Sequence, residues 1–336
     1  MSVADPSTFP IASPWASSDL QRIVFDDIFG DHVPANTRRA AMSIPAVARA
    51  RNLIVSTIAR LPLLAAKAGD PLPPDQQPGW AYRTNTATAP QLRLAWTVDD
   101  LIFYGWSCWK RTNLADGFPQ TFTRVPVDEW QLTDDGIVLV NGIPQADNDV
   151  TLFSGIHEGI LSFGSDTIAD ARDLYRMVRN RIRQPVPNVE LHQVDGDPLT
   201  ELEQRQLIDG WAAARRGENS GVAYTNKSIE LREHGAGTGA EQLMIEARNA
   251  ASLDLARLVG VAANRIDATA PKSSLNYETT QGRNLEFVDF DLALYMTPIT
   301  ARLSADDVVP AGQHVLLDTT SLTDAVMDHH GPDLQD

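Results

Sequence analysis

The sequence predicts an α+β fold, and three observations carry that prediction. Short apolar runs separated by turn signals crowd residues 106–153. Three later stretches, near 165–184, 238–262 and 276–304, repeat apolar residues at helical spacing over long distances. Between the first two of these lies an insert, 185–237, with strand and helix signals of its own. The chain has 336 residues, enough for one large domain or two ordinary ones, and is 43% hydrophobic and 21% charged, so it can bury a core.

Residues 1–42 are rich in Pro, Ser and Asp with little periodicity and read as an arm. Ile23–Gly30 (IVFDDIFG) is the exception and reads as a docking segment. Ser43 before Ile44-Pro45 suggests a cap with Pro in the first turn. Val47, Ala50, Ile54, Ile58 and Leu61 then recur at helical steps until Pro62 stops them. After a Pro-rich loop from Pro71, a second helix is expected from Thr97, which has capping-box spacing to Asp100, to Gly105. The runs SCWKRTN, TFTRVP, EWQLT, IVLV and VTLF read as strands of one antiparallel meander, with turns at Asp134–Gly136 and Asn141-Gly142.

From Ser165, the residues Ile168, Ala171, Leu174, Tyr175, Val178 and Ile182 mark one helical face before Pro185. The same helix carries Arg172, Arg176, Arg179, Arg181 and Arg183. In the insert, PNVELHQV reads as a strand, Thr200 with Glu203 as a capping box, and VAYT with SIELRE as a hairpin around Asn226-Lys227. A helix is expected from about Gly239 to Val259, then a polar loop from Asn264 to Asn276 long enough to suggest a function. The helix after it should kink at Pro298. A strand from His314 and an acidic tail close the chain.

Composition excludes several functions. Lys plus Arg number 28 against 44 Asp plus Glu, a formal charge of −16, which argues against a basic groove that clamps nucleic acid. The single cysteine, Cys108, allows neither an intrachain disulfide nor a Cys-based zinc site. The first residues show no secretory signal, and no apolar run reaches the roughly 18 residues of a membrane span, so a soluble protein is expected. Gly235, Gly237 and Gly239-Ala240 fit a dinucleotide-binding G-x-G-x-x-[GA] run. The acidic residue such a site needs about 20 positions on would fall inside the same helix, so a Gly-rich helix entry is the plainer reading. No Walker A loop is present. His157-Glu158 and His329-His330, with Asp328 and Asp333, are weak metal candidates. The acidic pairs Asp26-Asp27, Asp99-Asp100, Asp134-Asp135 and Asp306-Asp307 read as caps and turns rather than catalytic dyads. No catalytic residue, cofactor or metal site is therefore expected.

Four segments resemble the portal proteins of tailed bacteriophages in their compact siphovirus-type form. They are SIPAVARARNLIVSTIARLPL, DDLIFYGWSCW, IHEGILSFGSDTIADARDL and, most specifically, the long segment from Ile245 to Ser304. Asn276, Tyr277, Glu278 and Pro298 match within the last. Val261-Ala262 departs from the Val-Pro often found there. The resemblance spans about residues 43–322.

It implies a portal-like layout: a wing at 43–164, a first stem helix at 165–184, a clip at 185–237 and a second stem helix at 238–262. A tunnel loop at 263–275, a kinked wing helix at 276–304 and a short C-terminal strand and tail at 305–336 complete it. The implied function is a ring, usually of twelve copies, at one capsid vertex of the virion, through which double-stranded DNA is packaged and ejected. The implied partners are other copies of the chain, the major capsid protein, the terminase large subunit and a head–tail adaptor, with no membrane. Asn264, Arg265, Asp267, Lys272, Ser273 and Ser274 would face DNA from the tunnel loop, and Arg172, Arg176, Arg179 and Arg183 would form a basic stem face. A different virion connector or capsid-associated protein is the alternative, and a dinucleotide-binding enzyme a more distant one.

Overall fold

A computed structural model of the chain describes residues 37–83, 88–133, 135–183, 188–196, 198–216, 229–234, 238–268 and 280–323. It divides into two compact units, Met1–Asp173 with Asn249–Asp336, and Leu174–Arg248.

The first unit opens inside the expected arm. Helix α1 (Arg38–Met42) is capped by Thr37, whose hydroxyl accepts the Ala40 N–H at 3.2 Å. Ser43 therefore closes this helix, with its hydroxyl on Ala40 O, and does not cap the next one. Helix α2 (Pro45–Ala59) starts without a side-chain cap and relies on Pro at its first position and on a buried stripe that includes Val47, Ile54 and Ile58. Strand β1 (Leu63–Lys67) turns through Ala68-Gly69 into β2 (Asp70–Pro71).

After the short helix α3 (Gly79–Tyr82), helix α4 runs from Pro90 to Tyr104. It begins a full two turns before the expected Thr97. The Thr97 hydroxyl does not cap; it is buried, donates to Arg93 O and accepts the Trp109 indole N–H at 2.7 Å. Pro90 supplies the start, and Gly105, at φ 75°, supplies the left-handed stop.

The strands of 106–153 make two sheets, not one meander. β3 (Trp106–Ala115) lies between β4 (Phe118–Val125) and β8 (Val150–Ser154), all antiparallel. β5 (Trp130–Leu132), β6 (Val138–Val140) and β7 (Ile143–Pro144) form the second. Asn141 and Gly142 both have positive φ, as the expected two-residue turn requires. Asp116-Gly117 makes the same turn between β3 and β4.

Aromatic packing joins these layers. Trp109 stands 4.6 Å from Phe153 and 5.2 Å from Phe122, with Trp80 5.7 Å beyond. Three glycines let backbones cross beneath: Gly155 N–H donates to Gly105 O at 2.7 Å, and a Cβ on Gly159 would fall 2.4 Å from Phe103 O.

Helix α5 (Ile160–Phe163) leads into α6 (Ser165–Arg183), which starts in the first unit and ends in the second. In the second unit β9 (Asn188–Gln193) pairs antiparallel with β10 (Ile229–His234), and α7 (Glu201–Arg216) lies between them in sequence. Glu203 accepts both the N–H and the hydroxyl of Thr200, so the capping box is real. The VAYT half of the expected hairpin lies outside the described residues; SIELRE pairs instead with the strand at the start of the insert. This unit is wider than 185–237, since it takes part of α6 and the start of α8 (Thr238–Val259).

Back in the first unit, α9 (Thr280–Glu286), a π-helical turn (Phe287–Leu292) and α10 (Ala293–Leu303) form one continuous helix. Pro298 sits inside α10, but the irregular geometry lies upstream of it, in the π turn. β11 (Gln313–Leu317) returns to pair with β1, which the sequence did not mark as a strand. The short helix α11 (Thr320–Thr323) follows. Among the described residues no helix is long and apolar enough to cross a membrane.

Candidate functional site

The end of α8 and the segment that follows are tied to the π turn by a compact set of polar contacts. Gly260, at φ 75°, ends the helix, and residues 263–266 make one 3-10 turn that stops at Asp267, also left-handed. Ile266 and Ala268 are buried and pin this turn to the body. The Tyr295 hydroxyl donates to Val259 O at 2.7 Å, holding the last helical carbonyl. Asp291 accepts the Ala262 N–H at 3.2 Å. The Val-Ala pair at 261–262 explains this bond, because a proline at 262 would have no N–H to give.

Arg265 completes the arrangement. Its guanidinium donates to Arg283 O, lies 4.1 Å from the Phe287 ring centroid and stands 3.6 Å from the Asp291 carboxylate. A charge over an aromatic face and beside a carboxylate is held, not offered. Burial pushes the Asp291 carboxyl above its usual range, and the Ala262 N–H and Arg265 pull it back. The π turn makes this possible: its wider winding carries Asp291 inward while Phe290 stays 74% exposed.

Of the expected loop residues, Asn264 is exposed on the 3-10 turn. Asp267 is exposed, with Arg49 of α2 at 3.9 Å. Arg265 is engaged within the chain. Lys272, Ser273 and Ser274 lie outside the described residues, as do Asn276, Tyr277 and Glu278. Asp291, Phe287 and Tyr295 were missed as anchors. FVDFDL reads as ordinary helix in sequence, and nothing in its spacing announces a π turn.

Arg172, Arg176, Arg179 and Arg183 all fall on α6, at steps of four, three and four residues that place them on one face. Arg172 is half-buried, whereas Arg176 and Arg179 are exposed; the Arg183 side chain lies outside the described residues. Arg172 and Arg176 both have interaction partners. In α8, the Arg248 guanidinium lies 5.1 Å from the Tyr175 ring.

The other chemical candidates resolve structurally. The sheet before the Gly-rich run is a two-stranded antiparallel ribbon, and Gly235, Ala236 and Gly237 lie outside the described residues. This is not the parallel unit a dinucleotide fold needs. The His157 ring accepts the Gly159 N–H and packs edge-on against Phe163 and Tyr295; burial holds its pKa down. Among the described residues no cluster of His, Cys, Asp or Glu could hold a metal. His329, His330 and Asp26-Asp27 lie outside them.

Asp99 and Asp100 do not cap a helix start. They are buried late in α4, Asp99 between Arg38 and Arg51, Asp100 against Arg124 and the Ser107 hydroxyl. Cys108 sits among Val125, Trp130 and Val140, where burial pushes its thiol up to about 12.

Comparison with known proteins places this arrangement. A crystal structure of a HK97 family phage portal protein from Corynebacterium diphtheriae matches at 35% identity and a TM-score of 0.67, covering 87% of this chain and 98% of that one. The neck of an empty GTA particle matches at 14% identity and a TM-score of 0.62, covering 88% of each chain. A chain from the virion of a native gene transfer agent particle also matches at 14% identity and a TM-score of 0.62, covering 90% of each. These two likenesses concern the fold. No family model matches the chain, and no curated protein does.

Proposed function

This chain belongs to the HK97 family of phage portal proteins, and from that membership we propose how it works as the portal: a channel for double-stranded DNA at one capsid vertex. The observation that carries this reading is the 35% identity maintained over 98% of the length of a family member. Copies of the chain close a ring, and a neck computed with C12 symmetry contains a chain of this fold, which supports twelve. In this reading residues 43–164 form wing, α6 and α8 the stem, 185–237 the clip, 263–275 the tunnel loop and 276–304 the helix behind it. The chain has no catalysis of its own. It is made in the host cytoplasm, meets the capsid protein through the wing, and presents separate surfaces to the terminase during packaging and to the adaptor afterwards.

The electrostatics suit passage rather than grip. A duplex carries a phosphate charge every ~1.7 Å, so a basic lumen would hold it. A chain of charge −16, repeated around a ring, repels it instead. With Arg265 engaged at the loop base, Lys272 becomes the loop cation that touches phosphates briefly. Asn264, Ser273 and Ser274 add neutral contacts, and the Arg172, Arg176, Arg179 and Arg183 face gives the stem its basic stripe. DNA packaging by virions carrying Lys272→Glu tests this. Packaging should slow or stop while purified rings keep their size, and normal packaging would contradict the assignment.

A further inference from the structure

A pocket of about 240 Å³ opens where the end of α2 meets the start of α4. Its apolar walls include Leu61, Leu63, Leu64, Tyr82 and Leu94, with Trp109 at the back. Two cations, Arg60 and Arg93, line it as well, and Arg83 stacks 5.1 Å from the Tyr82 ring at its edge. Arg93 is only 2% exposed. Its guanidinium donates to the backbone carbonyls of Trp80 and Phe122 and lies 4.5 Å from the Trp109 ring centroid, yet its Nε has no partner.

Elsewhere in this unit, Arg38, Arg51, Arg111, Arg124 and Arg302 each pair with a carboxylate. Among the described residues none pairs with Arg60, Arg83 or Arg93. A greasy pocket ringed by uncompensated cations fits an apolar peptide that brings acids of its own.

We propose that this pocket receives the Ile23–Gly30 segment of the same chain. The segment has Ile23, Val24 and Phe25 on one side of Asp26-Asp27 and Ile28 and Phe29 on the other, so apolar side chains meet the walls while the carboxylates meet the arginines. Reach allows it. The described chain begins at Thr37, and Arg38 next to it is bonded to Asp99 of α4. Asp99 lies six residues, about 9 Å, along the helix from Arg93. The seven residues from Gly30 to Thr37 span up to about 23 Å when extended, against that ~9 Å along the helix. Docking would fix the arm against the wing of its own chain.

Cross-linking in the full-length chain tests this. Val24→Cys is combined either with Gln91→Cys, an exposed position lining the pocket, or with Ile143→Cys, an exposed position on β7. A mixture of light and heavy isotope-labelled chains is treated with a short bismaleimide and mapped by mass spectrometry; the buried native Cys108 stays unreactive. The 24–91 link should exceed the 24–143 link by roughly tenfold and join peptides of the same label. Asp26→Lys with Asp27→Lys should cut it by roughly tenfold, and adding Arg60→Glu with Arg83→Glu should restore it, which misfolding would not. Equal links to 91 and 143, indifference to charge reversal, or links only between light and heavy chains would each overturn the proposal, the last in favour of an arm from a second copy.

Discussion

Asp99 and Asp100 are neighbours in sequence but hold different parts of the first unit. Asp99 is 2% exposed by side chain and carries two guanidiniums, 2.8 Å from Arg38 and 2.5 Å from Arg51, so it fastens α1 to the helix pair α2 and α4. Removing its charge takes the carboxylate partner from two partly buried guanidiniums. Asp99→Asn should therefore lower the melting temperature and raise amide exchange across Arg38–Met42 first; unchanged exchange there would contradict the fastening role. Asp307 gives the sign for acid. Hydrogen bonds from Arg302, then from Arg111, hold its pKa at about 2, below the ordinary 3.8. A depressed carboxyl contributes stability above its unfolded value and loses it as pH falls through the folded one. The stability gap between the chain and Asp307→Asn, measured by denaturant melts, should be constant near neutrality and close between about pH 4 and pH 2. A gap that widens with acid would refute this.

At the scale of elements, the anchored turn after α8 is the feature that most repays a test. Asp291→Ala removes the acceptor of the Ala262 N–H and the counter-charge of Arg265 together. Hydrogen bonds to charged groups contribute about 1.5–3 kcal/mol, so exchange at Ala262 should rise by roughly tenfold or more. Gly159→Ala makes the opposite kind of error, placing a Cβ 2.4 Å from Phe103 O at a φ of 83°, and should abolish soluble expression.

How far the sequence disclosed these elements follows from what periodicity can carry. The helix ended by Pro62, the long arginine-bearing helix from Ser165, the Thr200–Glu203 box and the Asn141-Gly142 turn were legible, because each depends on local spacing or local chemistry. The start of α4 was not: its first turns bury Arg93 and Leu94 and follow Pro90, while Thr97 imitates a cap but serves the Trp109 indole. The split into two sheets and the pairing of β1 with β11 depend on contacts between residues far apart, which local patterns do not encode. At the candidate site, the helix from Thr280 was legible in its periodicity, while most of the loop before it lies outside the described residues. The intrachain contacts of Arg265 were not legible, because its partners, Phe287 and Asp291, lie more than twenty residues away in sequence.

The whole molecule is a chain of two compact units with α6 and α8 each divided between them, and it carries a large negative charge. Purified protein should show no shift of linear duplex DNA in gels at moderate salt, where basic binders still hold. A saturable shift would argue for a gripping surface. The central claim is a ring, and imaging purified full-length protein by electron microscopy tests it most directly. Hollow particles with rotational symmetry, twelve-fold in class averages, and an open central channel are expected. Uniform single-chain particles at high protein concentration and in assembled virions would contradict it.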